Sequence, residues 1–168
     1  MRHGGNVWEG GNPGQWLDFS ANLRPEGPPG WAVDAMRRSL DHMRYYPDRS
    51  MAAARRGLAL YAGVREENIL PTAGGVAAID LALSIRNGTV LLNSPAFSEY
   101  AARAKAHGRP CADAAKRAVC PGDTRVLCNP DNPTGRTFDR KEALKLYDSA
   151  AERGGELVID EAFVDYCT

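Results

Sequence analysis

Apolar positions along the chain recur first with a helical period and then in short runs. Val33, Met36, Leu40 and Met43 follow Trp31 at helical spacing, with Arg37, Arg38 and Asp41 between them, which predicts an amphipathic helix. Tyr46-Pro47-Asp48 stops it, because a proline pushes the preceding residue out of the α region. A second helix is predicted over about Met51–Tyr61, ending at Gly63, and a third from Val76, Ile79 and Leu83, closed by Asn87-Gly88. Beyond it, Val90-Leu91-Leu92, Arg125-Val126-Leu127-Cys128 and Leu157-Val158-Ile159 read as buried strands. Between them, Ser98–His107 reads as helix. So does the segment after Asp139-x-x-Glu142, a capping box, with Leu144, Tyr147 and Ala151 on one face. Strands separated by helices of this length predict an α/β fold with a mostly parallel sheet. Residues 1–30 differ: they are rich in glycine and proline and end in Pro25-Glu26-Gly27-Pro28-Pro29-Gly30. They read as an extended arm whose Trp8, Trp16, Leu17 and Phe19 need a surface, either the body of the protein or a partner subunit.

Composition narrows the function classes. The chain has 168 residues, 21 Lys plus Arg against 21 Asp plus Glu, and 43% hydrophobic residues. This length suits one ordinary domain. Balanced charge gives no electrostatic reason to bind nucleic acid or an anionic membrane. No apolar run approaches the roughly 20 residues that span a bilayer. The start, Met1 to Asn6, has no apolar segment like a signal peptide, so a cytoplasmic location is expected. Cys111, Cys120, Cys128 and Cys167 form no C-x-x-C pair, and His3, His42 and His107 are the histidines that could join them. Free thiols in a reducing compartment, and no metal site, are expected.

Candidate chemistry lies where the strands end, because ligands of open α/β sheets bind beyond the carboxyl ends of the strands. Leu92 is followed by Asn93-Ser94-Pro95-Ala96-Phe97-Ser98-Glu99-Tyr100, Cys128 by Asn129-Pro130-Asp131-Asn132-Pro133-Thr134-Gly135, and Ile159 by Asp160-Glu161-Ala162-Phe163. Parallel strands would bring all three ends to one rim. Gly74-Gly75 opens a helix, so it is either a plain turn or a phosphate site at a positive helix end. Asp160 is either a structural ion pair or cap, or a functional carboxylate that needs a cationic or protonated partner. Phe97 is either core or a stacking surface, and Asn132 either closes an Asx turn or presents its amide to a ligand. Taken together these groups suit a flat, phosphorylated, nitrogen-containing ring. Pyridoxal 5′-phosphate is such a ring, and an acidic partner keeps its pyridine nitrogen protonated.

The same residues carry a resemblance. Asn129 to Gly135 resembles the N-P-x-N-P-T-G motif of the class I/II aminotransferases, which are fold-type I pyridoxal-phosphate enzymes. Asp160-Glu161-Ala162-Phe163 resembles their D-E-A-[YF] motif, Ser94 to Tyr100 their S-P-x-[YF]-x-x-Y segment, and Tyr45-Tyr46-Pro47-Asp48 their R-Y-P-D segment. The resemblance is to the histidinol-phosphate aminotransferase branch, and within it His3-Gly4-Gly5-Asn6, Leu17 to Asn22 and Gly27-Pro28-Pro29 are similar to the opening of the threonine-phosphate decarboxylases of cobalamin synthesis. Phe163 stands where the aminotransferases usually carry a tyrosine.

The resemblance implies a three-layer α/β/α large domain over residues 31–168 behind the arm of residues 1–30, a homodimer, and a phosphorylated amino-acid substrate. It implies that the backbone of Gly75 and Val76 holds the cofactor phosphate, that Phe97 stacks on the ring, and that Asn132 meets the ring hydroxyl. Asp160 would pair with the ring nitrogen and Ala162 would pack on the other ring face. Tyr46 would reach the phosphate of the neighbouring subunit, and His3, Asn6 and Asn22 would line the substrate side. The implied reaction is decarboxylation of threonine phosphate, with transamination of histidinol phosphate as the alternative. The Schiff-base lysine of the family stands in an S-x-x-K context after D-E-A-[YF]; Lys105, Lys116, Lys141 and Lys145 lack that context. The chain is therefore expected to be the N-terminal part of a longer enzyme, or a non-catalytic remnant, inactive by itself.

Overall fold

A computed structural model describes residues 4–167, and the chain divides after Ile69 into two compact units. The first unit holds short 3-10 turns at Val7–Gly10 and Pro13–Gln15, helix α1 (Gly30–Ser39) running into a 3-10 turn, and helix α2 (Ala52–Ala62). Asp48 starts α2: its carboxylate accepts the Ala52 N–H at 3.0 Å and the Ser50 N–H at 2.9 Å. Gly63, in the left-handed region at φ 65°, ends it, a conformation that costs glycine no Cβ clash. Arg55 Nη2 then donates to the Glu66 carbonyl at 2.8 Å and braces the helix against the next turn. The arm's Trp8, Trp16, Leu17 and Phe19 are exposed.

The second unit is the α/β fold that the sequence predicts. Helix α3 (Gly75–Ser84) precedes strand β1 (Val90–Leu92); then come α4 (Ser98–Ala106), β2 (Cys111–Asp113), β3 (Thr124–Cys128), α5 (Arg140–Ala151) and β4 (Glu156–Asp160). The sheet order is β2-β1-β3-β4 and every pairing is parallel, with Cys128 opposite Asp160 in the β3–β4 register. Strand alternation sorts the core into two layers. On one face Val90, Val126 and Cys128 pack with Ile79 and Leu83 of α3 and Tyr100 and Ala104 of α4. On the other, Leu91 packs with Ala114, Val119 and Ala150 of α5. The sheet is thus sandwiched between helices in three layers. No helix among the described residues is long and apolar enough to cross a membrane.

Two local expectations change. The edge strand β2 falls in a stretch to which the sequence pattern assigns no element, because Cys111-Ala112-Asp113 offers neither an apolar run nor strand-forming residues; its pairing with β1 makes it a strand. Helix α5 buries Ala150 and half-buries Ala143 and Leu146, whereas Leu144 and Tyr147 are about half exposed. Its inward face is therefore turned one position from the Leu144–Tyr147–Ala151 stripe. The capping box is present as read: the Glu142 N–H donates to Asp139 Oδ1 at 2.7 Å, and the Asp139 N–H donates to Glu142 Oε2 at 2.9 Å.

The amino ends of the strands are fastened by Arg109, which is 4% exposed. Its Nη1 donates to the Leu83 carbonyl at 2.7 Å, its Nε to the Gly88 carbonyl at 2.7 Å and its Nη2 to Thr124 Oγ1 at 2.9 Å. One guanidinium thereby ties the end of α3 to the start of β3.

Candidate active site

Parallel pairing places the carboxyl ends of β1, β3 and β4 at one rim, as the strand-end reading requires. Asp160 is the last residue of β4. The Tyr100 hydroxyl donates to its Oδ2 at 2.7 Å, and the Ala162 N–H donates to its Oδ1 at 3.0 Å. The partner that the half-buried carboxylate needs is thus a phenol. Among the described residues Asp160 takes part in no ion pair.

Tyr100 is 2% exposed. Burial, then the Cys128 thiol and Asp160, push its ionisation far above the ordinary range for tyrosine, so the hydroxyl remains a proton donor. Phe97, the residue before α4, sets its ring edge-on to Tyr100 with centroids 5.6 Å apart. Phe97 is half-buried against the α3–α4 core layer, so it is partly core and partly open. Cys128 Sγ donates to the Pro130 carbonyl at 3.1 Å, and burial raises its pKa as the largest influence. It is a neutral thiol under the loop after β3.

That loop is held from within. Asn129 Nδ2 donates to the Phe138 carbonyl at 3.0 Å, and Asn129 Oδ1 accepts the Phe138 N–H at 2.9 Å. The Asn129 N–H also donates to the Asp160 carbonyl at 2.8 Å, which starts the loop beside the carboxylate. Asp131 takes the Asx-turn role, accepting from the hydroxyl and the N–H of Thr134. Asn132 therefore does not close the turn, and its side-chain amide makes no hydrogen bond to the described residues.

Helix α3 opens at Gly74, whose φ of 88° favours glycine, and no side chain caps it. A Cβ built on Gly75 would stand in open space. The first N–H groups of a helix lack intrahelical partners, and the Gly75 and Val76 amides make no backbone hydrogen bond among the described residues. Ala162 is exposed and Phe163 half-buried, its ring 6.4 Å from that of Tyr166.

The second unit thus carries Gly75, Val76, Phe97, Asn132, Asp160 and Ala162. Asn6, Asn22 and Tyr46 belong to the first unit, where all three are exposed. His3 lies outside the described residues. Tyr100, Cys128 and Asn129 were given no role in the sequence reading. The signals for Tyr100 are its place one helical turn after Phe97 and its standing as the closing tyrosine of the S-P-x-[YF]-x-x-Y segment.

The description "Aminotransferase class I and II" fits residues 15–168. The chain belongs to the class I and II aminotransferase family. It is 31% identical over 184 residues to the threonine-phosphate decarboxylase of Salmonella typhimurium, covering 98% of this chain and 50% of that protein. It is 30% identical over 172 residues to the histidinol-phosphate aminotransferase of Desulfitobacterium hafniense, covering 89% of this chain and 46% of that protein. Its fold matches the histidinol-phosphate aminotransferase of Sinorhizobium meliloti, solved in complex with pyridoxal-5′-phosphate. The TM-score is 0.77 at 18% identity, over 88% of this chain and 44% of that one. The chain spans about half the length of the curated relatives it matches. Pyridoxal 5′-phosphate is the cofactor of the family.

Proposed function

We propose that the second unit is the cofactor-binding part of a pyridoxal-phosphate enzyme, and that the full-length protein decarboxylates L-threonine O-3-phosphate to aminopropanol phosphate. The observation that carries the cofactor reading is Asp160: a carboxylate at a strand end, held by two neutral donors, with no cation among the described residues to neutralise it. A structural ion pair would have such a cation. A protonated ring nitrogen is a partner of the right charge. The uncapped start of α3, with open space above Gly75, suits the phosphate of the same molecule.

In this reading the amides of Gly75 and Val76 bind the phosphate, Phe97 covers one ring face and Ala162 the other, and the free amide of Asn132 donates to the ring hydroxyl. Asp160 holds the proton on the ring nitrogen. Phe163 has no hydroxyl to offer. Tyr46 reaches the phosphate from the neighbouring subunit of a homodimer, and His3, Asn6 and Asn22 face the substrate. When bound, pyridoxal phosphate supplies an electron sink for the pair released at the substrate α-carbon. The net change is loss of the carboxylate as carbon dioxide and its replacement by a proton on the same carbon. The described lysines are exposed: Lys105 on α4, Lys116 in the turn after β2, and Lys141 and Lys145 on α5. None is carried by the rim loops, so the 168 residues alone are expected to give no borohydride-trapped cofactor and no turnover.

Likeness to the Salmonella decarboxylase over 98% of the chain favours decarboxylation, while likeness to the Desulfitobacterium aminotransferase favours transamination of histidinol phosphate as the second reading. Full-length protein assayed with each substrate separates them. Aminopropanol phosphate and carbon dioxide formed without any keto acid are expected. Exchange with histidinol phosphate that depends on 2-oxoglutarate would overturn the first reading.

A further inference from the structure

The Tyr100 side chain bridges two strand ends. Its hydroxyl donates to Oδ2 of Asp160 at the end of β4, and its ring packs in the same core layer as Cys128 at the end of β3. Cys128 Sγ in turn donates to the Pro130 carbonyl of the loop that carries Asn132. One buried phenol therefore holds the residue read as pairing with the ring nitrogen. The Ala162 N–H fixes the other oxygen of Asp160. A carboxylate with a donor on each oxygen cannot rotate without breaking one bond, and each oxygen keeps a lone pair for a further donor. Phe97 packs against the Tyr100 ring from the same end of α4, which holds the phenol in place.

We infer that Tyr100 is a positioning residue, which by holding Oδ2 aims the Asp160 carboxylate at the nitrogen of the pyridoxal-phosphate ring; this rests on the cofactor reading above. The phenol touches neither the substrate nor the reacting atoms. Its effect passes through Asp160 and should therefore be confined to ligands that carry a ring nitrogen. A residue that merely fills the core would affect every ligand alike.

The test measures, in full-length protein by equilibrium dialysis, the affinity for pyridoxal 5′-phosphate and for its carbon analogue, in which a C–H replaces the ring nitrogen. Wild-type protein is expected to prefer the nitrogen ring. Tyr100→Phe, whose ring fits the same space, is expected to lose about tenfold of that preference, the worth of a hydrogen bond to a charged group, while holding the carbon analogue within about twofold. Asp160→Asn is the second variant, and adding Tyr100→Phe to it should change the preference no further, as expected of groups that act as a unit. A Tyr100→Phe protein that keeps the full preference would overturn the inference and leave the cofactor reading standing. Equal weakening of both ligands would also overturn it, since that is the mark of a packing role. Wild-type protein that does not distinguish the two rings would sink the cofactor reading and the inference together. If Tyr100→Phe alone does not fold, Tyr100→Met, which fills the same space without an O–H donor, takes its place with the same outcomes.

Discussion

The two ends of the parallel sheet carry buried polar groups of opposite character. At the amino ends, Arg109 has an acceptor for each of its three nitrogens. Asp123 nearby accepts the Thr89 N–H at 2.8 Å, the Cys120 N–H at 2.9 Å and Arg117 Nη2 at 2.9 Å. Each polar atom of these two side chains is met within the chain, whereas Arg125 Nε and one carboxylate oxygen of Glu156, at the same end, have no hydrogen bond among the described residues. At the carboxyl ends, among the described residues, Asp160 has two neutral donors and no cation, the Asn132 side-chain amide makes no hydrogen bond, and α3 starts without a side-chain cap. A saturated cluster holds a fold together, since a polar group buried without a partner costs free energy. An unsaturated one has room for a ligand. Charge and burial by themselves do not separate the Arg109–Asp123 cluster from the Asp160 cluster; the bonds each makes do.

Four measurements would break or sharpen this contrast. The largest effect is expected from Arg109→Ala, which strands two carbonyls and a hydroxyl in the core and should cost about 3 kcal/mol of stability by urea unfolding. A neutral result would show that the amino-end cluster is not structural. Asp160→Asn should do the reverse: a stability loss of only about 1 kcal/mol, because the one amide oxygen keeps either the Tyr100 or the Ala162 donor and loses the other, and on the order of a hundredfold loss of decarboxylation in full-length protein. A large stability loss there would erase the distinction between the ends. Asp139→Ala, distant in kind from both, removes the capping box and should cost about 1 kcal/mol with ligand affinity unchanged.

The smallest effect concerns pH. Hydrogen bonds from the Ser50 side chain, then the Ala52 and Ser50 backbone, lower the Asp48 pKa below its ordinary value. A carboxylate with a depressed folded-state pKa contributes stability above its unfolded value of 3.8, and that contribution is lost as pH falls through the folded value. Asp48→Asn should therefore flatten the acid limb of the stability curve below about pH 4 and leave neutral pH nearly unchanged. A melting curve whose acid limb is the same in both proteins would count against it.

Much of the fold was legible in order along the chain, because its signals are local. The capping box lies within one helical turn, Gly63 ends α2 where it was read, and three strands announce themselves as apolar runs between turns. The edge strand β2 was not legible, since its strand character comes from pairing with β1 rather than from its own residues. The inward face of α5 was misread by one position because Leu and Tyr at half-exposed sites mimic a core stripe, while the smaller Ala143 and Ala150 face inward. At the site, the residue types and their shared rim were legible from motif order. Their fastening was not: Asn129 and Asp131 hold the loop, which leaves Asn132 free of the Asx role.

By itself the sequence determined the succession of the helices and of the three central strands, the polar groups at the strand ends, and hence the family. Those depend on spacings of two to four residues and on motifs read in line. Tertiary structure alone decided that a phenol and not a cation answers Asp160, across a separation of 60 residues, and that Arg109 fastens the opposite end. Partners so far apart meet through the packing of helix on sheet, and no local periodicity encodes which of several buried groups will face each other across it.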